Sequence, residues 1–204
     1  MNPSYFKLPP DKQNNLINAG YKVFSSYPYK KGSMSFVAGE AAISKSLMFY
    51  YFKNKKEYYL YLFDVAIRFL NDRKEESICG EKNDLFQLVN REIERRLRAM
   101  HDYPYLLQFV AKAYYESEEE IKSELEIRKK ALAWMGKEDI LKLIDYEPFQ
   151  NPSDAKELID MILFIAEGCM RGREELSDAK IREILPAFQN MMSFLKNHYY
   201  KEGL

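Results

Sequence analysis

Hydroxyl and lysine side chains, the groups that bind phosphates and other anions, are concentrated between Ser44 and Lys56. Ser44 is of a type that caps helices, so the free amides of the next turn and the Lys45 ammonium would together attract an anion. Residues 1–70 hold ten lysines and arginines against four acids, a net charge of +6, and the remaining residues carry −6. This asymmetry is typical of a segment that binds a polyanion, although a charge of this size also arises by chance.

The residues that could support catalysis or metal binding are few. Cys79, Cys169, His101 and His198 cannot form a zinc site with several cysteines or a disulfide framework, and neither histidine lies in a nucleophile signature. Cys169 lies in an apolar run, which favours an inert buried thiol. Glu118–Glu120 is interpreted as a capping turn or a solvated face, because the Glu-x-x-His spacing of a di-iron bundle is absent. We therefore expect no enzymatic activity, no metal site and no cofactor.

Length and composition predict a globular helical protein. The 204 residues are 47% hydrophobic and include only eight glycines and eight prolines, too few for a loop-rich β protein or a disordered chain. No stretch of about 18 uncharged apolar residues could span a membrane. The N-terminus lacks the apolar core of a secretory signal, so we expect a soluble cytoplasmic protein.

Hydrophobic spacing predicts helices along the whole chain, and hence an all-α fold of about nine helices. Asp11, Ser33, Ser44 and Asn54 are the predicted caps of the first four helices. The predicted helices cover residues 11–26, 33–41, 44–52, 54–79, 84–102, 104–116 and 118–145 with a kink near Gly136, one opening at Ser153 or Asp154, and one opening at Ser177 or Asp178 that Pro186 should kink.

Three short helices followed by a long one are the layout of a helix-turn-helix head. Ala38 and Ala41 are small enough to let two helices cross closely, and Ile43 would fill the angle between them. A short recognition helix fits a DNA major groove about 12 Å wide. Met48 and Phe52 are predicted to point into the head. The exposed face of this helix is predicted to consist of Lys45, Ser46, Leu47 and Tyr50.

At these residues the sequence resembles the TetR family of transcriptional regulators. The matching segments are Leu16–Gly20 with Val23, Phe24 and Tyr29, then residues 33–38, 41–47 and 49–57. The resemblance implies a DNA-binding domain at residues 10–70, with its helix-turn-helix motif at about 33–52. Residues 71–204 match only in helix length and order, and would form an effector-binding and dimerisation domain.

Three residues depart from the family pattern. Gly20 replaces the usual second alanine, Ala42 stands where the turn normally has glycine, and Phe49 stands where tyrosine is common. Alanine at position 42 would be strained if its φ is positive. Phe49 lacks a hydroxyl that could bind phosphate.

The resemblance also implies roles for individual residues at the DNA. Lys45 and Ser46 would approach base edges, and Leu47 could meet only a thymine methyl. The residues implied as phosphate ligands are Ser33, Ser35, Tyr50, Tyr51, Lys53 and Lys55. The alternative for Lys53 and Lys55 is a solvated helix start, and for Tyr50 and Tyr51 a place in the core or at its rim.

The resemblance further implies a homodimer formed by the last two helices in a four-helix bundle. The apolar run Leu158–Ala166 agrees with burial on more than one side, although an ordinary core helix would also explain it. Central helices would enclose an apolar or flat effector, and the same residues could instead be core. The candidate lining residues are Tyr103, Phe109, Tyr114, Trp134, Met135, Met161, Phe164 and Cys169.

The expected function is that of a repressor that a small-molecule effector releases from a palindromic DNA operator. The alternative is a DNA-binding scaffold of the same fold that recruits a protein partner and has no effector. Phe36, an apolar residue at a usually polar position of the second helix, supports that alternative.

Overall fold

The computed structural model describes residues 1–71, 82–132, 137–170 and 178–202. These residues form ten α-helices and two short 3-10 helices, Pro3–Lys7 and Pro152–Asp154, and within these ranges β-pairing is limited to isolated bridges. The all-α prediction is confirmed. The helices are α1 (Pro10–Ser26), α2 (Met34–Glu40), α3 (Lys45–Tyr51), α4 (Lys55–Asn71), α5 (Leu85–Asp102), α6 (Leu106–Tyr115), α7 (Glu119–Leu132), α8 (Lys137–Leu143), α9 (Ala155–Met170) and α10 (Asp178–Tyr199).

Several predicted boundaries need correction. The segment 118–145 contains two described helices, α7 and α8, and Gly136 lies outside the described residues. Asp11 does not cap α1: Pro9 occupies the cap position without a side-chain hydrogen bond. Pro10 begins the helix because a first-turn residue needs no N–H partner. Pro104 lies in a turn before α6 rather than in its first turn. The last helix, α10, contains Pro186 as predicted, and the kink there stays a prediction.

The described residues form two compact units. Unit 1 comprises residues 1–71 and 99–132, and unit 2 comprises residues 82–98, 137–170 and 178–202. Unit 1 thus combines the predicted DNA-binding segment with α6 and α7. The functional division near residue 70 stays a prediction.

Buried aromatic rings fill the centre of unit 1. Two of their hydroxyls satisfy backbone carbonyls: Tyr58 Oη donates to the Leu16 carbonyl at 2.6 Å, and Tyr21 Oη donates to the Leu62 carbonyl at 3.0 Å. Both bonds join α1 to α4. They also give each buried phenol the hydrogen-bond partner that it needs. The fully buried rings are Tyr5, Tyr21, Phe24, Tyr29, Phe52, Tyr58, Tyr59, Phe63 and Phe109.

The buried tyrosines predict alkaline unfolding. Burial raises the pKa of Tyr5, Tyr21, Tyr58 and Tyr59 above the ordinary value of 10. Above that pH the unfolded chain loses phenolic protons that the folded chain keeps. The contribution to stability is therefore complete below about pH 10 and is lost as the pH rises further. We expect the free energy of unfolding, measured with urea, to fall steeply above about pH 10. Ionisation of all tyrosines in a chain that keeps its circular dichroism would contradict this.

Gly20 of α1 packs directly against side chains of α4. A β-carbon at this position would overlap the Tyr58 hydroxyl and lie 2.5 Å from Leu62 Cδ1. Both neighbours are fully buried, so neither has room to move away. Packing therefore explains why glycine stands at position 20, where the family usually has alanine.

Gly20→Ala should destabilise the protein for this reason. We expect the free energy of unfolding to fall by about 1–3 kcal/mol, since overpacking outweighs the better helix propensity of alanine. Gly39→Ala in α2 is the matched control, because its β-carbon would have no neighbour within 4 Å. That variant should gain up to about 1 kcal/mol. Urea denaturation measures both changes, and equal effects at the two positions would refute the packing argument.

The core of unit 2 leaves one apolar face of α9 and α10 uncovered. Leu158, Ile159 and Ile162 are buried against the rest of the unit. On another side of the two helices lie exposed apolar residues: Leu163, Phe164, Met191 and Phe194. Among the described residues of unit 2, the core thus buries α9 on one side. None of the described helices combines the length and apolarity that crossing a membrane requires.

Candidate nucleic-acid interface

The turn between α2 and α3 contains a residue with a positive φ. Ala42 has a φ of 53°, in the left-handed region, which costs a non-glycine residue roughly 1–2 kcal/mol. The turn is held by the Ile43 N–H, which donates to the Ala38 carbonyl at 2.9 Å. Asn15 Nδ2 of α1 donates to the Ala41 carbonyl at 2.8 Å. The turn is thereby fixed on α1 despite the strained alanine.

Three of the predicted caps are confirmed. The Ser33 hydroxyl accepts a hydrogen bond from the Phe36 N–H at 3.2 Å, and the Ser44 hydroxyl accepts one from the Leu47 N–H at 3.1 Å. The Asn54 side chain accepts one at the start of α4. The two serine caps set where the paired helices begin, and therefore which side chains of α3 face outward.

The predicted two faces of α3 are observed. Met48 and Phe52 are completely buried in unit 1. The outward residues are Lys45, Ser46, Leu47 and Tyr50, as predicted, together with Phe49, which was not predicted there. This exposed face combines one cation, two hydroxyls and two apolar side chains, and it is the surface that could enter a groove.

Ser33, Ser35 and Lys53 lie on or near the same two helices. Ser35 and Lys53 are exposed, and Ser33 is half-buried because its hydroxyl caps α2. The backbone N–H of Lys53 donates to the Glu57 carboxylate at 2.8 Å, and the residue as a whole is exposed.

Lys55 differs from the implied phosphate ligand. Its ammonium donates to the carbonyls of Tyr29 at 2.9 Å, Gly32 at 3.3 Å and Lys30 at 3.4 Å, and lies 4.2 Å from the centre of the Tyr29 ring. An ammonium has three protons, and three carbonyls accept them. Lys55 therefore fastens the loop between α1 and α2, a role that neither sequence interpretation anticipated.

Tyr51 belongs to the core rather than to the exposed face. Only 8% of the residue is accessible, and its ring packs against Tyr5 and Tyr50. Its position fits the alternative interpretation of Tyr51 as a core residue rather than a phosphate ligand. Tyr50, by contrast, is 55% exposed.

The N-terminal 3-10 helix is the element that sequence reasoning missed. Tyr5 is fully buried and packs on Phe52 and Tyr61, beside the end of α3. The signal in the sequence was the pair Asn2-Pro3: the Asn2 side chain caps this helix by accepting from the Ser4 N–H at 2.9 Å. Asparagine followed by proline is a helix start.

The candidate effector residues fall into three groups. Trp134 and Met135 lie outside the described residues. Tyr103, Phe109 and Tyr114 belong to unit 1, and Met161, Phe164 and Cys169 belong to unit 2.

The three candidates of unit 1 have different surroundings. Phe109 is fully buried, 5.0 Å from Tyr21 between ring centres. Tyr103 is buried and donates its hydroxyl proton to Asn14 Oδ1 at 2.8 Å. Tyr114 is exposed, with the Lys129 ammonium 5.4 Å from its ring centre. Phe109 and Tyr103 therefore fit the alternative interpretation, that they are core residues.

The three candidates of unit 2 are also unlike one another. Met161 packs against the core, and Phe164 is 72% exposed. Cys169 lines a groove of about 520 Å³ between α9 and α10. The other residues of this groove are Ile165, Gly168, Glu183, Ile184, Ala187 and Met191.

The segment that contains α2 and α3 matches a known protein family. Residues 16–62, which hold α2, α3 and the turn between them, match the family described as bacterial regulatory proteins, tetR family. A comparison with curated proteins gave no match.

Solved structures share the architecture over almost the whole chain. A TetR family transcriptional regulator from Chloroflexus aurantiacus is 18% identical with a TM-score of 0.62, and the match covers 98% of this chain and 99% of that one. The ketosteroid transcriptional regulator KstR2 of Mycobacterium tuberculosis is 16% identical with a TM-score of 0.61, covering 96% and 97%. MexZ, a repressor responsible for antibiotic resistance in Pseudomonas aeruginosa, is 16% identical with a TM-score of 0.59, covering 92% and 96%. The chain thus has the fold of TetR-family transcriptional regulators and carries the family's helix-turn-helix segment at residues 16–62.

Proposed function

We propose that the protein binds a palindromic DNA operator as a homodimer and represses transcription until an effector releases it. The observation that carries this proposal is the exposed face of α3. Ser44 caps the start of this helix, and the buried side chains of Met48 and Phe52 fix it to the core of unit 1. A helix held in this way presents the same side chains to every groove it enters.

Each exposed residue has a chemically defined partner on DNA. Lys45 suits the O6 and N7 acceptors of guanine, and Leu47 suits the methyl group of thymine. Ser46 can meet either kind of base edge, but its hydroxyl lies 3.3 Å from that of Ser44 and is partly engaged there. Contacts to phosphate are assigned to Ser33, Ser35, Tyr50 and Lys53, and they fix the register of the protein on the duplex.

A second copy of the chain is the proposed partner of the open face of α9 and α10. Phe164 and Phe194 are each 72% exposed, which is costly for aromatic side chains in water. The adjoining groove, whose wall includes Gly168 and Ala187, offers space for the partner's side chains. Two-fold symmetry then places two α3 helices at two half-sites.

Polar contacts within unit 1 could transmit an effector signal to the DNA-binding helices. The Glu116 carboxylate accepts from the Tyr29 N–H at 2.9 Å. Arg128 of α7 forms a bidentate pair with Asp64 of α4, at 2.7 and 3.1 Å. A shift of α6 or α7 would therefore pull on α4 and on the loop before α2. A coupling of about 1–3 kcal/mol would weaken operator binding roughly 5- to 150-fold.

Phe36 supports a second candidate function, the scaffold that recruits a protein. Its side chain is 52% exposed, and its ring centre lies 5.6 Å from that of Tyr27. This exposed aromatic pair has the character of a protein-binding surface. Loss of DNA binding on addition of a small molecule would favour the repressor over the scaffold.

Selection from random genomic duplex fragments tests the proposal. The purified dimer should enrich fragments that share one palindromic sequence, because two symmetric heads read two half-sites. Enrichment of fragments without a shared sequence would contradict specific recognition. A screen of small apolar compounds against the enriched duplex then tests effector release.

A further inference from the structure

We propose that Ser4 belongs to the DNA-binding surface, and that its hydroxyl and the hydroxyl of Tyr50 form a hydrogen-bonded pair that donates one hydrogen bond to a backbone phosphate. The inference rests on the proposed function and extends the DNA-binding surface to the N-terminal 3-10 helix. That helix lies outside residues 16–62, which the family comparison matches.

The two hydroxyl groups already lie side by side. Ser4 Oγ and Tyr50 Oη are 3.1 Å apart on an exposed part of unit 1. Tyr50 belongs to the outward face of α3, so the pair lies at the edge of the surface assigned to DNA. The position of Ser4 there does not follow from the sequence pattern, since 46 residues separate it from Tyr50.

Ser4 is held in place by contacts on both sides. The Asn2 N–H donates to the Tyr51 carbonyl at 2.9 Å, which joins the N-terminal segment to the last residue of α3. The Ser4 N–H donates to Asn2 Oδ1. Tyr5 is fully buried, and its hydroxyl accepts a hydrogen bond from Tyr61 Oη at 3.0 Å. These contacts fix the N-terminal segment, so the Ser4 hydroxyl keeps a constant position beside the Tyr50 hydroxyl.

The chemistry of the pair suits one anionic oxygen. Each hydroxyl has one proton, and one of the two is used in the bond between them. The second proton is free to donate, and the internal bond polarises it, which strengthens a bond to a phosphate oxygen. The bond also limits the rotamers of the exposed Tyr50 side chain, so less entropy is lost when DNA binds.

The test compares Ser4→Ala, Tyr50→Phe and the double variant on the enriched operator, with the purification tag at the C-terminus. We expect each single variant to bind about 3- to 10-fold more weakly, in line with the loss of one hydrogen bond at an exposed site. The double variant should lose little more than one single variant, because the two hydroxyls act as a unit. Ser123→Ala is the control, since its exposed hydroxyl bonds to the neighbouring Glu124 on α7.

Two further measurements separate a phosphate contact from a structural effect. Ser4→Ala should leave the urea unfolding midpoint and the slope of log affinity against log salt unchanged, because a hydroxyl releases no counterions. A series of operators can each carry a single methylphosphonate at a different backbone position. At one position the substitution should weaken binding of the wild-type protein but not of Ser4→Ala. Unchanged affinity of Ser4→Ala, additive losses, or the lack of such a position would overturn the inference. Failure of the wild type to bind any duplex would instead overturn the proposed function.

Discussion

Replacing both Phe164 and Phe194 with arginine is expected to convert the protein into a monomer. The two side chains are the most exposed aromatic residues on the face of α9 and α10. Charges there would be buried without partners if two copies met, at a cost of several kcal/mol per ion. Since neither side chain belongs to the core of unit 2, the monomer should stay folded. Sedimentation measures the change in mass, and circular dichroism reports on folding.

The same variant should lose most of its operator affinity. Two half-sites bound by one dimer gain about 10²- to 10⁴-fold over a single head, and a monomer forfeits that gain. Ile127→Arg is the control: this residue is 68% exposed on α7 and lies in unit 1. It should remain a dimer with wild-type affinity. A double-arginine variant that still sediments as a dimer would show that another surface forms the interface.

Lys45→Ala should have the second largest effect. Lys45 is the one cation on the exposed face of α3, among the residues that the structure describes. If it contacts a guanine, its loss should cost about 1–3 kcal/mol, a decrease of roughly 5- to 150-fold in affinity for the operator. Preference for guanine at one position of each half-site should fall as well.

Lys130→Ala provides the matched control for Lys45→Ala. It removes the same charge from an exposed position of α7 in unit 1. Competition binding with operators carrying single base changes measures both variants. If Lys130→Ala weakens binding as much as Lys45→Ala, the effect comes from net charge and the assignment of Lys45 to a base edge fails.

Local features of the head could be predicted from the sequence because they depend on residues close together in the chain. The Ser33 and Ser44 caps each bond to a residue three positions later. The division of α3 into buried Met48 and exposed Leu47 follows from helical periodicity. Strain at Ala42 was expected only on the condition of a positive φ, and the structure supplies that φ of 53°.

Features that depend on distant residues could not be predicted in this way. The carbonyls that hold Lys55 come from residues 23 to 26 positions earlier. Ser4 and Tyr5 meet α3 only through the fold. The eight effector candidates were chosen by side-chain type, and type alone does not distinguish a fully buried Phe109 from an exposed Phe164.

Recognition of DNA sequence is tested most directly by a salt titration of the wild-type protein on the enriched palindrome and on a scrambled duplex of equal length. We expect log affinity to fall linearly with log salt on both duplexes, and the palindrome to bind at least about 10³-fold more tightly than the scrambled duplex. Equal affinity for the two duplexes, or no binding to either at low salt by a folded dimer, would contradict the central claim that this helix-turn-helix reads DNA sequence.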